Sequence, residues 1–213
     1  MLNNKVWVIL RPNYGIYGEL HEIGICGSGF FINQNIFITC YHCINHSSFC
    51  PNGKYNNTDL ILLSPNQNEH ITESDVIKYD YDRDITYIRI SGTNEYFETD
   101  YIIEEKDNVY NIGYPSLEIK SLIQPIPLKI IDQRVQYGFI KSIEENYSIL
   151  SNDVKINKAK AFILNYCSSE GYSGGPLLRD DKVVGIMSHK SPKHRGSIVA
   201  IASSDFFKKL IEK

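Results

Sequence analysis

A serine framed by glycines stands in the segment EGYSGGPLL, residues 170–178, and packing alone does not explain it. Glycine on both sides lets the backbone turn tightly, which exposes the Ser173 hydroxyl and points amide N–H groups into the same space. The amides of Gly171 and Ser173 would then serve as an oxyanion hole, whereas the plain alternative is a glycine-rich hairpin. A serine hydroxyl is a poor nucleophile near neutral pH, so acyl transfer at Ser173 requires a histidine base and an acid that orients it. His42 lies in NIFITCYHCI, where an apolar strand runs into a short turn that would present an imidazole at the strand's end. Histidines 21, 46, 70, 189 and 194 lack such a setting. Asp84 lies in YDRDITYIRI, where an acid precedes a strand that Ile85, Tyr87, Ile88 and Ile90 would anchor. Its ordinary reading is a turn residue at a strand start, and Asp82 is its competitor.

The elements that would position these residues are short apolar runs rich in Ile, Val, Tyr and Phe, each ended by Asn, Gly, Pro or Asp. This is the pattern of an all-β barrel or sandwich. Strands are predicted at 6–10, 29–32, 36–39, 59–63, 85–90, 109–112, 136–143, 161–164, 176–178, 183–187 and 197–202. At the tail, Ser204 and Asp205 offer an N-cap and Phe206, Phe207, Leu210 and Ile211 share one face, which predicts a helix over 204–212. Pro115, Pro125 and Pro127 mark a connector between two halves. The halves are taken as 1–120, carrying His42 and Asp84, and 121–213, carrying Ser173.

With 42% apolar and 22% charged residues and a net charge of −3, the 213-residue chain reads as an ordinary globular protein. Its Lys and Arg residues are scattered, which leaves no footprint for nucleic acid or a membrane surface. No apolar run approaches the roughly 18 residues that span a bilayer, and the N-terminus has too short an apolar stretch for a signal peptide. A cytoplasmic location is expected. The five cysteines at 26, 40, 43, 50 and 167 are then expected as free thiols.

The segments around His42, Asp84 and Ser173 resemble the T-A-A-H-C, D-I-A-L and G-D/N-S-G-G-P motifs of chymotrypsin/trypsin-like serine peptidases, in that family's order His, Asp, Ser. Separations of 42 and then 89 residues suit two barrels of this size. GSGFFI at 27–32, VYNIGYPS at 109–116, VVGIMS at 183–188 and AIASSDFFKKLI at 200–211 extend the likeness, which is to the minimal HtrA-like branch without a PDZ-type segment. The resemblance implies two six-stranded antiparallel β-barrels with a short C-terminal helix. It implies a serine endopeptidase with His42 as general base, Asp84 as orienting carboxylate, Ser173 as nucleophile and the Gly171 and Ser173 amides as oxyanion donors. No cofactor is implied. The substrate is protein or peptide, and because no activation sequence of the I-V-G-G type is present the site is expected to be ordered either constitutively or by a regulatory protein partner.

By the same resemblance the specificity pocket has Cys167 at its base, Ser168 and Ser188 on its walls, and His189 and Lys190 close by. No carboxylate stands at Cys167, which argues against Lys or Arg before the cleaved bond, and His189 and Lys190 near the cleft strand with His194 and Arg195 in the next loop point to an acidic or small uncharged residue there. Tyr41 and Tyr172 replace smaller or polar residues and are expected to narrow access. A Cys26–Cys43 disulfide, resembling the family's bridge beside the histidine, would apply to an exported form. Two rivals remain. CYHCINHSSFC offers Cys40, His42, Cys43, His46 and Cys50 to a structural zinc, but the usual second ligand pair is missing. A catalytically inactive peptidase fold used for binding conflicts with an intact set of triad positions.

Overall fold

β-Branched and aromatic residues alternating with polar ones build two antiparallel sheets, seen in a computed structural model. Residues 3–14, 20–44, 60–64, 68–71, 75–92, 94–115, 132–151 and 154–203 are described. The first sheet comprises β1 (Val6–Tyr14), β2 (Leu20–Asn33), β3 (Ile36–Cys40), β4 (Leu60–Leu63), β5 (Asn68–Ile71), β6 (Val76–Asp80) and β7 (Ile85–Arg89), in the order β5-β4-β1-β2-β3-β7-β6. The second comprises β8 (Asn108–Gly113), β9 (Arg134–Leu150), β10 (Lys155–Leu164), β11 (Pro176–Arg179), β12 (Lys182–Lys190) and β13 (Ile198–Ala202), and it closes into a six-stranded barrel. The sole helix among the described residues is the single turn α1 (Tyr41–Ile44).

This is the expected all-β double-barrel fold, with seven strands instead of six in the first sheet. The predicted C-terminal helix at 204–212 lies outside the described residues. The division at residue 120 needs correction. β8 pairs with β9 and β11 in the second barrel, so the handover falls between Arg89 and Asn108. The proline-bearing stretch therefore lies between two strands of one barrel, and residues 116–131 of it are outside the described set. Proline punctuates any loop, and a loop within a barrel looks no different in sequence from one between barrels.

Trp7, packed edge-on against Phe31 with ring centroids 5.1 Å apart, centres the first core. The segment after β7 staples the two sheets together. Phe97 buries itself against Phe30 and bonds the Phe31 carbonyl, while Glu98 and Asp100 bracket Val183 of β12 with backbone hydrogen bonds. Arg179 then ties Asp100 at 2.7 Å to Asp107 at 2.6 Å. No helix among the described residues is long and apolar enough to cross a membrane.

The tightest seam lies where the turn before β11 meets β2. Ser28 N donates to the Ser173 carbonyl (2.8 Å), while Gly174 N donates to the Met187 carbonyl and Met187 N to the Gly175 carbonyl, which lays this turn on β12. Gly174 has φ +82°, and a Cβ there would sit 2.2 Å from both the Ser28 carbonyl oxygen and Thr39 Oγ1. Positive φ and a backbone clash both penalise any side chain. Gly174→Ala is expected to cost more than about 2 kcal/mol, measured as a lowered urea midpoint; an unchanged midpoint would contradict the packing described.

Candidate active site

Antiparallel register delivers two of the three expected residues to one place. Cys40, the last residue of β3, pairs with Ile85, the first of β7, so the residues just beyond β3 and just before β7 share one end of the sheet. The Asn33 carboxamide, accepting from the amides of Asn35 and Ile36, shapes the turn that launches β3. Past Cys40 the chain coils into α1, which swings His42 back over Asp84. Asp84 has φ 58°, in the left-handed region that Asp tolerates better than most residues. That conformation turns its side chain inward instead of along the strand.

Asp84 is 1% exposed. Its Oδ2 lies 2.6 Å from His42 Nδ1, its Oδ1 accepts the His42 amide at 3.0 Å, and its own carbonyl accepts the Tyr41 amide at 2.9 Å. The Ser188 hydroxyl donates a further bond to Oδ2 at 3.1 Å. Asp82, the competitor, is more than half exposed and faces Lys155 at 3.5 Å. With Nδ1 donating to the carboxylate, neutral His42 keeps its lone pair on Nε2. Burial disfavours a charged imidazole, but the Cys43 sulfur and the Asp84 carboxylate outweigh that cost and hold the His42 pKa well above its ordinary 6.5.

Ser173 reaches the same place from the second barrel. Its hydroxyl donates to the Ser188 carbonyl at 2.7 Å, not to His42. Ser188 thus meets Asp84 through its hydroxyl and Ser173 through its backbone. The Gly171 carbonyl accepts from Ser28 Oγ at 2.7 Å, and Tyr114 N donates to the same hydroxyl at 3.0 Å. Gly171 has φ +92°, and among the described residues neither Gly171 N nor Ser173 N donates to any group. Two backbone donors of the serine turn therefore stand unused among the described residues.

The remaining expected residues are placed less uniformly. Cys167 is exposed and Ser168 is buried with a hydroxyl that lacks a hydrogen-bond partner. Lys190 is exposed at the end of β12. His189 has both ring nitrogens engaged, Nδ1 with Ser188 Oγ at 3.0 Å and Nε2 with the Tyr147 hydroxyl at 2.8 Å. Tyr172 is buried under the site, where its ring occupies the space a Cβ on Gly113 would take, and Tyr41 packs edge-on against Tyr79 and Tyr81. Cys26, Cys40, Cys43 and Cys167 are free thiols.

For a metal, Cys40, His42 and Asp84 bring ligand atoms within 4.8 Å of one another. Zinc bonds of about 2.0–2.1 Å to N and O need those atoms more than 3 Å apart, whereas His42 Nδ1 and Asp84 Oδ2 are 2.6 Å apart and Cys40 Sγ faces the Met187 carbonyl at 3.1 Å. The geometry is that of hydrogen bonds, not of a ligand set. His46 and Cys50, the other residues of the zinc reading, lie outside the described residues.

Residues 27–186 match the family profile of the trypsin-like peptidase domain. The chain belongs to that family. As a trypsin-like peptidase it is a serine endopeptidase whose substrates are proteins or peptides. Solved structures agree on the fold. The Rv3671c protease from M. tuberculosis in its active form superposes with a TM-score of 0.70 at 14% identity, covering 98% of this chain and 80% of that one. HtrA-type protease AlgW with a decapeptide gives 0.68 at 14% identity, covering 98% and 65%. The serine endoprotease from Yersinia pestis gives 0.63 at 17%, covering 99% and 62%. No curated protein sequence matches significantly.

Ser28 is a residue of the candidate site that the sequence does not single out, since a lone serine carries no pattern, and Ser188, expected on a pocket wall, also bonds the Asp84 carboxylate. Linkage gives the His42–Asp84 pair a definite pH signature. A histidine whose pKa is raised by folding contributes stability fully below its unfolded value, near 6.5, and loses it as pH rises through the folded value. The stability gap between wild type and Asp84→Asn is expected to be about 3 kcal/mol near pH 6 and to shrink steadily in more alkaline buffer. Denaturant melts across that range check this, and a gap that widens with pH would contradict it.

Proposed function

We propose that this trypsin-like peptidase cleaves peptide bonds through a His42–Asp84–Ser173 triad and an acyl-enzyme. What carries the reading is the 2.6 Å contact between His42 Nδ1 and a buried carboxylate, with Ser188 bonding that carboxylate through its hydroxyl and the Ser173 hydroxyl through its carbonyl. Asp84 holds the ring in the tautomer that keeps Nε2 basic. Rotation of Ser173 about its Cα–Cβ bond takes the hydroxyl from the Ser188 carbonyl to that nitrogen. A substrate backbone N–H bonding the Ser188 carbonyl would displace the hydroxyl and promote this rotation. A regulatory protein partner would act at the same step.

Ser173 Oγ then attacks the scissile carbonyl carbon while its proton passes to His42 Nε2. The oxyanion is received by Gly171 N and Ser173 N. Collapse of the tetrahedral species breaks the C–N bond, and His42 gives its proton to the leaving amine. Water repeats the sequence on the ester, releasing the acid and restoring Ser173. The chain's own residues supply every group, so no cofactor enters.

Cys167, Ser168 and Ser188 are proposed to shape the pocket for the residue before the cleaved bond. The buried, unpartnered Ser168 hydroxyl supports a small uncharged residue there, and exposed Lys190 supports an acidic one. The free thiols, Cys167 exposed among them, support a cytoplasmic setting.

Mass-spectrometric mapping of cleavage products from a peptide library tests the mechanism. Wild type is expected to cut, and Ser173→Ala or His42→Ala to lose roughly four or more powers of ten in turnover. The same bonds cut at similar rates by Ser173→Ala would overturn the assignment.

A further inference from the structure

His189 and Tyr147 extend the site outward, and the direction of each hydrogen bond in that extension follows from elementary chemistry. The Asp84 carboxylate can only accept, so the single Ser188 proton must point to Asp84 Oδ2 at 3.1 Å. Ser188 Oγ then has only lone pairs for its other neighbour, His189 Nδ1 at 3.0 Å, and that nitrogen must carry a proton. A neutral imidazole protonated on Nδ1 leaves a lone pair on Nε2, which faces the Tyr147 hydroxyl at 2.8 Å and accepts from it. Every proton therefore runs one way: Tyr147 to His189, His189 to Ser188, Ser188 to Asp84.

The surroundings keep this order in place. Tyr147, on β9, is 1% exposed, and β9 is not a hydrogen-bonded neighbour of β12, which carries Ser188 and His189. The Tyr147 and His189 rings lie 5.7 Å apart, and Lys193 Nζ caps the Tyr147 ring at 5.4 Å. Burial pushes the His189 pKa down to about 4, in keeping with a neutral ring. His189 offers a substrate no free nitrogen.

We infer that His189 and Tyr147 are positioning residues, a polarised donor chain that acts through Ser188 to orient the Asp84 carboxylate toward His42. Aligned hydrogen bonds strengthen one another, so Asp84 receives a fixed, enhanced donor on the oxygen that His42 also uses. This inference rests on the triad reading proposed above.

The test is a double-mutant cycle on peptide cleavage. His189→Leu is expected to lower kcat about tenfold with KM unchanged. His189→Asn, whose amide N–H stands near the position of Nδ1, is expected to restore most of it. Tyr147→Phe should lower kcat a few-fold, and Tyr147→Phe/His189→Leu should be no worse than His189→Leu alone, because the tyrosine acts only through the histidine. The near-isosteric Tyr147→Phe keeps the test open should His189→Leu fail to fold. Unchanged kcat in Tyr147→Phe, additive losses, or equal losses in His189→Leu and His189→Asn would overturn the donor chain. Those results in an active wild type leave the triad standing. A wild type no more active than Ser173→Ala defeats the triad itself.

Discussion

Asp84 keeps a carboxylate at 1% exposure where two sheets meet, and much of the site's local geometry can be traced to satisfying it. A buried charge is costly unless each lone pair finds a donor. Here the donors come from three directions: the ring of His42, the backbone of α1, and Ser188 of the second barrel. Each donor is thereby constrained. The imidazole takes one tautomer, the turn after β3 takes one path, and β12 takes one position relative to β7.

The second constraint is the close approach of backbones at Gly174. Ser28 and Thr39 of the first sheet occupy the volume a side chain would need there, and Ser28 N holds the Ser173 carbonyl. The serine turn is therefore pinned between β2 and β12, leaving the amides of Gly171 and Ser173 unused. A candidate reaction centre split across two sheets is as rigid as the seam between them.

Much of this could be read from residue types. Strands such as 36–39 and 85–90 carry short apolar runs bounded by turn residues, and each was found with its ends within one residue. β2, β9 and β10 run far beyond the predicted cores because their outer halves alternate with polar residues and contain register shifts, which erase the period-2 signal. β5 (NEHI) and β6 (VIKYD) were missed because edge strands of polar composition look like loops. At the candidate site, Gly171, Ser173, His42 and Asp84 were singled out by unusual local context. Ser28 and Tyr147 were not, and Ser188 stood out only as a pocket wall by resemblance, since the contacts of all three depend on which distant atom each one faces.

The most direct measurement is the rate at which a fluorophosphonate modifies the protein as a function of pH, with the adduct located by tandem mass spectrometry. The adduct is expected on Ser173, absent in His42→Ala, with a rate that climbs with pH through a midpoint above 6.5 as His42 gives up its proton. No adduct at any pH, or a rate on Ser173 indifferent to His42, would contradict a hydroxyl activated by this imidazole.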